Sequence, residues 1–221
     1  DLRSPMASIK MLCNTIMMSI EPGSVPADVF EMLEMANKTS EEVFSLLDNL
    51  LKWTKSQLGK LSNVPQPVDL VGLVEGVIEV FNPIAESKSI NLALEHSVNN
   101  VEVVVDIEMI KSVVRNLISN AIKFSNKDTI ITHVEVRVGE GNVDKEVVVT
   151  VSDKGCGIKE EDQPKLLNEA THFTTFGTNS EEGSGLGLLL CKDFVVKNHG
   201  RLWFTSQYGV GSNFSFSLPI K

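Results

Sequence analysis

The sequence lacks any apolar run that approaches the roughly 20 residues needed to cross a bilayer, and its start lacks the basic, apolar and small segments of a secretion signal. Any membrane segment is therefore expected only outside these residues. The cysteines are few, with no metal-ligand spacing and no even count: Cys13, Cys156 and Cys191. A disulfide framework and a zinc site are therefore disfavoured, and a reducing, cytoplasmic compartment is expected.

Positive charge is also scarce, with 20 Lys and Arg against 29 Asp and Glu and a formal net charge of −9. This balance argues against a general nucleic-acid binder, because phosphate backbones are held mainly by lysine and arginine. The negative net charge does not argue against the binding of a single nucleotide, since a metal ion, one lysine and backbone amides can neutralise a triphosphate locally. The 42% of apolar and 22% of charged residues are typical of a folded globular chain.

The first 63 residues have the apolar pattern of an α helical hairpin. Apolar residues recur every three or four positions over Leu2–Ile20 and again over Phe30–Leu61, on either side of the breaker-rich stretch Glu21–Pro26. Each helix has a broad apolar face, and two helices alone bury little surface. We therefore predict that two hairpins pair into a four-helix bundle, which makes residues 1–63 a dimerisation domain. The alternative is a helix pair packed on the rest of the same chain.

A short link with two prolines, residues 62–67, marks the predicted domain boundary. From Val68 onward helices alternate with strands, so residues 64–221 are predicted to form an α/β sandwich with a mixed sheet. The pattern predicts helices at 70–87, 107–124 and 186–197, and strands at 91–94, 102–105, 133–138, 147–151, 201–205 and 213–218.

The helix predicted at 107–124 has an unusual polar stripe made of Asn116, Asn120 and Lys123, which are spaced four and three apart. Asparagine is a poor helix former, so two of them on one stripe suggest that something is bound there. Amide oxygens suit Mg²⁺, and Lys123 suits a phosphate. The alternative is an ordinary solvent-facing stripe.

Two glycine-containing segments follow. The buried strand at 147–151 ends in Asp153-Lys-Gly-Cys-Gly157, where a carboxylate can accept a hydrogen bond from an exocyclic amine such as that of adenine. An ordinary Asp-Gly turn is the alternative. Further on, a long polar stretch leads through Gly183-Ser-Gly-Leu-Gly187 into an apolar helix, an order typical of phosphate binding. This segment fits neither the P-loop nor the dinucleotide pattern.

In this order the segments resemble the catalytic core of sensor histidine kinases, whose ATP-binding domain shares its fold with gyrase, Hsp90 and MutL. The boxes that carry the resemblance are Asn116–Phe124, Asp153–Gly157, Gly183–Gly187 and Gly209–Phe214. The resemblance implies ATP and Mg²⁺ as cofactors, with Asn120 and Asn116 at the metal and Asp153 at adenine. It implies these ATP-binding residues: Asn116, Asn120, Lys123, Phe124, Asp153, Gly155, Gly157, Ile158, Thr174, Thr175, Gly183, Ser184, Gly185, Leu186, Gly187 and Ser212.

The first residues, Asp1-Leu-Arg-Ser-Pro-Met6, resemble the phosphoacceptor box of that family without its histidine, which we expect directly before Asp1. The resemblance implies catalytic roles for Asp1, as the group that takes the imidazole proton, and for Ser4, where the family often orients water for a phosphatase reaction. The segment Ala170–Gly177 departs from the usual phenylalanine box. His172 in it lacks an acidic helical neighbour, which favours a lid or structural role.

Three functions fit these features to different degrees. The first is a histidine kinase core that phosphorylates itself, passes the phosphoryl group to a response regulator aspartate, forms a homodimer, and belongs to a free or membrane-anchored sensor. The second is a nucleotide-gated scaffold that dimerises without phosphotransfer, which any residue but histidine before Asp1 would favour. The third, an ATPase of the gyrase or MutL type, is disfavoured by the helical hairpin.

Overall fold

The computed structural model describes residues 3–21, 24–125, 128–138, 145–168, 177–178 and 185–220. The chain divides into two compact units, a smaller one that ends at Leu61 and a larger one that begins at Ser62. None of the helices in the described ranges has both the length and the apolar content that a bilayer crossing requires.

The smaller unit consists of helix α1 (Arg3–Ser19) and helix α2 (Ala27–Gln57), which pack against each other. Lys10 of α1 joins them, because its Nζ lies 3.9 Å from Glu41 Oε1 and 5.4 Å from the ring centre of Phe44. Helical geometry puts a half-buried apolar set on the same sides of the two helices as these contacts. The set consists of Met6, Cys13, Met17, Phe30, Leu33 and Leu47.

A second apolar stripe on each helix is exposed. On α1 it contains Ile9, Leu12 and Ile16, which are 46%, 61% and 45% exposed. On α2 it contains Val29, Met32, Met35, Val43, Leu46 and Leu50. The apolar set that the sequence predicts for each helix is therefore divided in two, with one part covered by the other helix and one part open.

The larger unit contains helices α3 (Leu70–Ser87), α4 (Ile107–Phe124) and α5 (Gly187–Lys197) and a 3-10 turn at Gln163–Lys165. Aspartate side chains cap the N-termini of the first two of these helices. Asp69 accepts hydrogen bonds from the N–H groups of Val71 and Gly72, and Asp106 accepts one from that of Met109. Such caps satisfy backbone donors that have no partner inside the helix.

The main sheet has five strands in the order β2-β4-β5-β7-β6. Its members are β2 (Ile90–His96), β4 (Asp128–Val138), β5 (Lys145–Asp153), β6 (Arg201–Gln207) and β7 (Gly211–Pro219). β2 and β4 are parallel and the other neighbours are antiparallel, so the predicted α/β domain with a mixed sheet is confirmed.

A separate two-stranded sheet pairs β1 (Gln66–Asp69) antiparallel with β3 (Glu102–Val105). The sequence predicted a link at residues 62–67, so the assignment of Gln66 and Pro67 to that link is wrong. Proline is tolerated in this strand because both strands of a two-stranded sheet are edges.

The core of the larger unit lies between the helices and one face of the main sheet. On β5 and β7 this face carries Val147, Val149 and Val151 beside Leu218, Phe216 and Phe214, all of them buried. Asp153 follows Val151 at a two-residue step, so its side chain lies on this same face. On the opposite face Thr150 and Ser215 share a hydrogen bond of 2.8 Å between their hydroxyl groups.

Candidate functional site

The turn after β5 is folded against the C-terminus of α4. The backbone N–H of Cys156 donates to the carbonyl oxygen of Phe124 at 3.2 Å. A Cβ on Gly155 would overlap that same carbonyl oxygen and would crowd Oδ1 of Asp153. The close approach therefore requires glycine at residue 155, and it brings the carboxylate at the end of β5 next to the end of α4.

Asp153 is the ionisable group at the centre of this region. Its Oδ1 accepts a hydrogen bond from the N–H of Gly155 at 2.8 Å, and the N–H of Ser212 is a second donor to the carboxylate. Burial raises the pKa of Asp153 above its ordinary value of 3.8, and the two backbone donors oppose this rise only in part. A carboxylate held where burial disfavours its charge is typical of a functional site.

The hydroxyl group of Ser206 ties the same turn to β7. Its Oγ accepts from the N–H of Ile158 at 2.9 Å, donates to the carbonyl of Gly211 at 3.1 Å, and lies 2.9 Å from Oγ of Ser212. Gly157, at a φ of +62°, lies against the carbonyl of Gln207, where no Cβ fits. The structure thus brings the predicted residues Gly155, Gly157, Ile158 and Ser212 together around Asp153.

Sequence reasoning missed Ser206, although β6 contained a signal. Leu202, Phe204 and Ser206 alternate toward one face of the sheet, so a serine stands where the pattern expects an apolar residue. A polar residue at a core-facing position must find hydrogen-bond partners, and here these partners belong to the turn beside Asp153.

The polar stripe of α4 lies toward the other end of the site. Nδ2 of Asn120 donates to Oδ1 of Asn116 at 3.0 Å, and both residues are half-buried. Gly187, the first residue of α5, packs so closely on Asn116 that a Cβ there would overlap the amide of Asn116. Asn120 precedes Phe124 by one helical turn, about 6 Å along the axis. One helix face therefore runs from the Asp153 turn to the start of α5.

Lys123 and Thr178 form a further junction at the end of α4. The carbonyl of Lys123 accepts hydrogen bonds from both the N–H and Oγ1 of Thr178, each at 3.0 Å, while Lys123 Nζ lies 5.2 Å from the ring centre of Phe124. Thr178 was not predicted as a site residue. The polar stretch that contains it gave no signal that distinguished it from its neighbours.

Three of the remaining predicted residues lie in the described ranges, two of them before α5 and one in the smaller unit. Gly185 has a φ of +67° and Leu186 is buried, both directly before α5. Ser4 is on α1 in the smaller unit, where its carbonyl accepts from Oγ of Ser8 at 3.1 Å. The other predicted residues lie outside the described ranges: Asp1, Thr174, Thr175, Gly183 and Ser184.

Comparison with known proteins identifies the family. Residues 105–221 match the model of the histidine kinase-, DNA gyrase B- and HSP90-like ATPase family, which is more than half of the chain. The chain belongs to this family. The resemblance to sensor histidine kinases is confirmed by a relative, the sensor protein EvgS of Escherichia coli strain K12, which is 28% identical over 225 residues. That match covers 100% of this chain and 18% of EvgS, so the chain spans about a fifth of that relative.

Solved histidine kinase structures share the fold of this ATPase-family chain. Full-length ShkA in complex with AMPPNP has a TM-score of 0.73 at 20% identity, over 99% of this chain and 44% of that one. Histidine kinase ThkA in complex with the response regulator protein TrrA has a TM-score of 0.69 at 19% identity, over 100% of this chain and 60% of that one.

The site residues of this ATPase-family chain fit a nucleotide-bound Mg²⁺ better than a cation held by protein groups alone. Within the described ranges no three His, Cys, Asp or Glu side chains are grouped as ligands for a metal. The bond between the two asparagines uses the amide nitrogen of Asn120, so its oxygen is left as an acceptor. Mg²⁺ often takes few protein ligands and completes its shell with phosphates and water.

The close approach at Gly155 gives a testable prediction. Gly155→Ala should lower the free energy of unfolding by about 1–3 kcal/mol, because the new Cβ must displace the end of α4. Gly76→Ala is the matched control, since a Cβ on Gly76, inside α3, meets nothing within 4 Å. This control should raise the free energy of unfolding by about 0.5–1 kcal/mol. Urea unfolding measures both, and equal effects would contradict the packing described here.

Proposed function

We propose that the chain is the ATP-binding and dimerising core of a sensor histidine kinase, with residues 1–63 as the dimerisation and histidine-phosphotransfer hairpin and residues 64–221 as the catalytic domain. The observation that carries the proposal is the position of α4. Its C-terminus contacts the turn that holds Asp153, and Asn116, two turns earlier, contacts the first residue of α5. A single elongated ligand can therefore contact a half-buried carboxylate, two amides and a helix N-terminus.

In this proposal the two ends of the site bind different parts of ATP. Asp153 accepts a hydrogen bond from the amino group of adenine, and the Gly155–Gly157 backbone allows the flat ring to approach. Asn120 and Asn116 would ligate Mg²⁺, and Lys123 would neutralise phosphate charge. The N-terminus of α5 provides backbone N–H groups for the phosphates. The predicted residues between 174 and 184 would complete the phosphate end as a lid.

The proposed reaction moves the γ-phosphoryl group from ATP to an imidazole nitrogen next to Asp1. The N–P bond forms, the bond between the γ-phosphorus and the bridging oxygen breaks, and ADP leaves. Asp1 accepts the imidazole proton, while Asp153, Asn120 and Lys123 hold the nucleotide in place. Bound Mg²⁺ would supply charge neutralisation at the phosphates. Catalysis by these residues would then consist of positioning and charge stabilisation.

The raised pKa of Asp153 predicts how binding depends on pH. The ionised carboxylate accepts from adenine, so affinity for ATP in the presence of Mg²⁺ should be full above the pKa of Asp153 and fall as the pH drops through it. Asp153→Asn should weaken binding about 10- to 100-fold at neutral pH, the usual range for a hydrogen bond to a charged group, and should lack this step. Titration calorimetry at several pH values measures both. A variant that binds like the parent would remove Asp153 from the site.

The exposed stripes of the smaller unit support the homodimer. Successive residues of a helix are about 100° apart, which places Met32, Val43, Leu46 and Leu50 of α2 on one side. Phe44 and Leu47 lie on the side that faces α1, and Glu34, Lys38 and Ser45 on a third, polar side. An apolar stripe along both helices is typical of a surface that a second copy covers in a four-helix bundle.

A charge placed in this stripe should separate the two copies. The double substitution Leu46→Asp and Leu50→Asp is expected to convert a dimer into a monomer at micromolar concentration, because it would bury two unpaired carboxylates from each copy in the interface. Ser45→Asp, on the polar side of α2, adds the same charge and should leave the dimer intact. Light scattering gives the mass of each protein. A monomeric parent would refute the bundle.

The partner proposed for the phosphorylated chain is the receiver domain of a response regulator, which would accept the phosphoryl group on an aspartate. Support comes from the fold shared with ThkA, whose structure contains the response regulator protein TrrA. The proposal also places the chain in the cytoplasm, in agreement with its three free cysteines, Cys13, Cys156 and Cys191.

Phosphotransfer is the direct test of the whole function. With labelled ATP we expect the chain of 221 residues to bind nucleotide without labelling itself, because none of its histidines follows the acceptor pattern. A chain that also includes the residues encoded directly before Asp1 should gain a label that is stable in base and labile in acid. The same longer chain with Asp153→Asn should gain far less. Binding without any label in the longer chain would favour the scaffold, and label on the shorter chain would point to His172.

A further inference from the structure

Helices α4 and α5 lie antiparallel, and contacts at three levels define their alignment. At one end Gly187 packs on the side-chain amide of Asn116. In the middle Sγ of Cys191 lies 4.0 Å from the carbonyl oxygen of Val113. At the other end Oδ1 of Asn198 accepts a hydrogen bond of 2.7 Å from the N–H of Asp106. Each step toward the C-terminus of α5 is matched by a similar step toward the N-terminus of α4.

Asn198 is almost completely buried, with 2% of its surface exposed. Besides the bond to Asp106, its Nδ2 donates to the carbonyl of Phe194 at 2.8 Å and lies 3.7 Å from Sδ of Met109. Both polar atoms of the side chain are thus engaged at the point where α5 ends and α4 begins. A buried, fully bonded amide specifies one alignment of two helices, whereas apolar contacts tolerate small shifts.

The distances along the two helices match. From Asp106 to Asn116 and from Asn198 to Gly187 the rise is about 15 Å and about 17 Å. A hydrogen bond at one end of the pair therefore determines which residues meet at the other end. That other end is where the start of α5 contacts Asn116, the phosphate and metal part of the proposed site.

The adenine end is secured by different contacts. The turn that contains Asp153 is held by the carbonyl of Phe124, by the hydroxyl of Ser206 and by the N–H of Ser212. None of these bonds involves α5. A shift of α5 along α4 would therefore move the phosphate end of the site and leave the adenine end in place.

We propose that Asn198 is a positioning residue that aligns α5 with α4 and thereby sets the place of the α5 N-terminus relative to Asn116. The inference rests on the proposed function, because it assigns those two groups to the phosphates of ATP and their metal. It predicts that a change at Asn198 weakens phosphate recognition selectively, through a residue that does not itself touch the nucleotide.

The test compares the parent with Asn198→Leu, which keeps the branched shape of the side chain without its polar groups, and with Asn198→Ala. Calorimetry measures the dissociation constants of ATP with Mg²⁺ and of adenosine, which lacks phosphates. Affinity for ATP should fall at least about 10-fold in both variants, while affinity for adenosine should stay within about twofold of the parent. Asn63→Ala is the control, since Nδ2 of Asn63 donates to the carbonyl of Lys197 at the end of α5 and this bond does not join α5 to α4. It should bind both ligands like the parent.

A second readout needs no nucleotide. Cys191 is buried between the two helices, so its rate of reaction with a thiol reagent, followed by peptide mass spectrometry, reports their alignment. The rate should rise in the Asn198 variants and stay unchanged in Asn63→Ala. ATP binding like that of the parent, or equal losses for ATP and adenosine, would overturn the inference. A parent that binds no ATP would refute the proposed function, and the Cys191 rate would then decide the inference, with an unchanged rate counting against it.

Discussion

The carbonyl oxygen of Phe124 reaches the backbone of Gly155 and Cys156, and the rest of the site depends on this contact. It joins the end of α4 to the end of β5, so the polar stripe of the helix and the carboxylate of the strand share one side of the domain. The last carbonyls of a helix have no partner within it. Here Cys156 and Thr178 supply donors for two of them, so the end of α4 is held by the segments that surround the site.

Asp153 is a group whose charge the fold holds at some cost to stability. Burial raises the pKa of its carboxyl group, so the folded chain holds the proton more tightly than the unfolded chain does. The contribution of Asp153 to stability therefore falls as the pH rises from the ordinary pKa of 3.8 through the raised pKa. Above the raised pKa the folded chain thus keeps a partly dehydrated charge. The N–H groups of Gly155 and Ser212 offset part of this penalty, and a donor on a ligand would offset more.

Sequence reasoning succeeded where local chemistry decides the structure. Helices α3 and α4 have the predicted bounds because Asp69 and Asp106 cap apolar runs of helical period. Sequence reasoning failed at β1, where two prolines suggested a link between domains instead of a strand. It also could not divide the apolar faces of α1 and α2 into a stripe that the other helix covers and a stripe that is exposed. Periodicity shows which side of a helix is apolar but not what covers it. The alignment of α4 with α5 was missed for the same reason, since Asn198 finds its partner far away in the sequence.

The close approaches at residues 155, 157 and 211 all involve backbone atoms on the facing side: the carbonyls of Phe124, Gln207 and Asp153. Every amino acid has a carbonyl oxygen, so these contacts do not depend on which side chains occupy the facing positions. Natural variation can replace those side chains freely while the glycines stay restricted. The geometry of the site can thus persist through long divergence, in which a few glycines are retained and most of the surrounding sequence is exchanged.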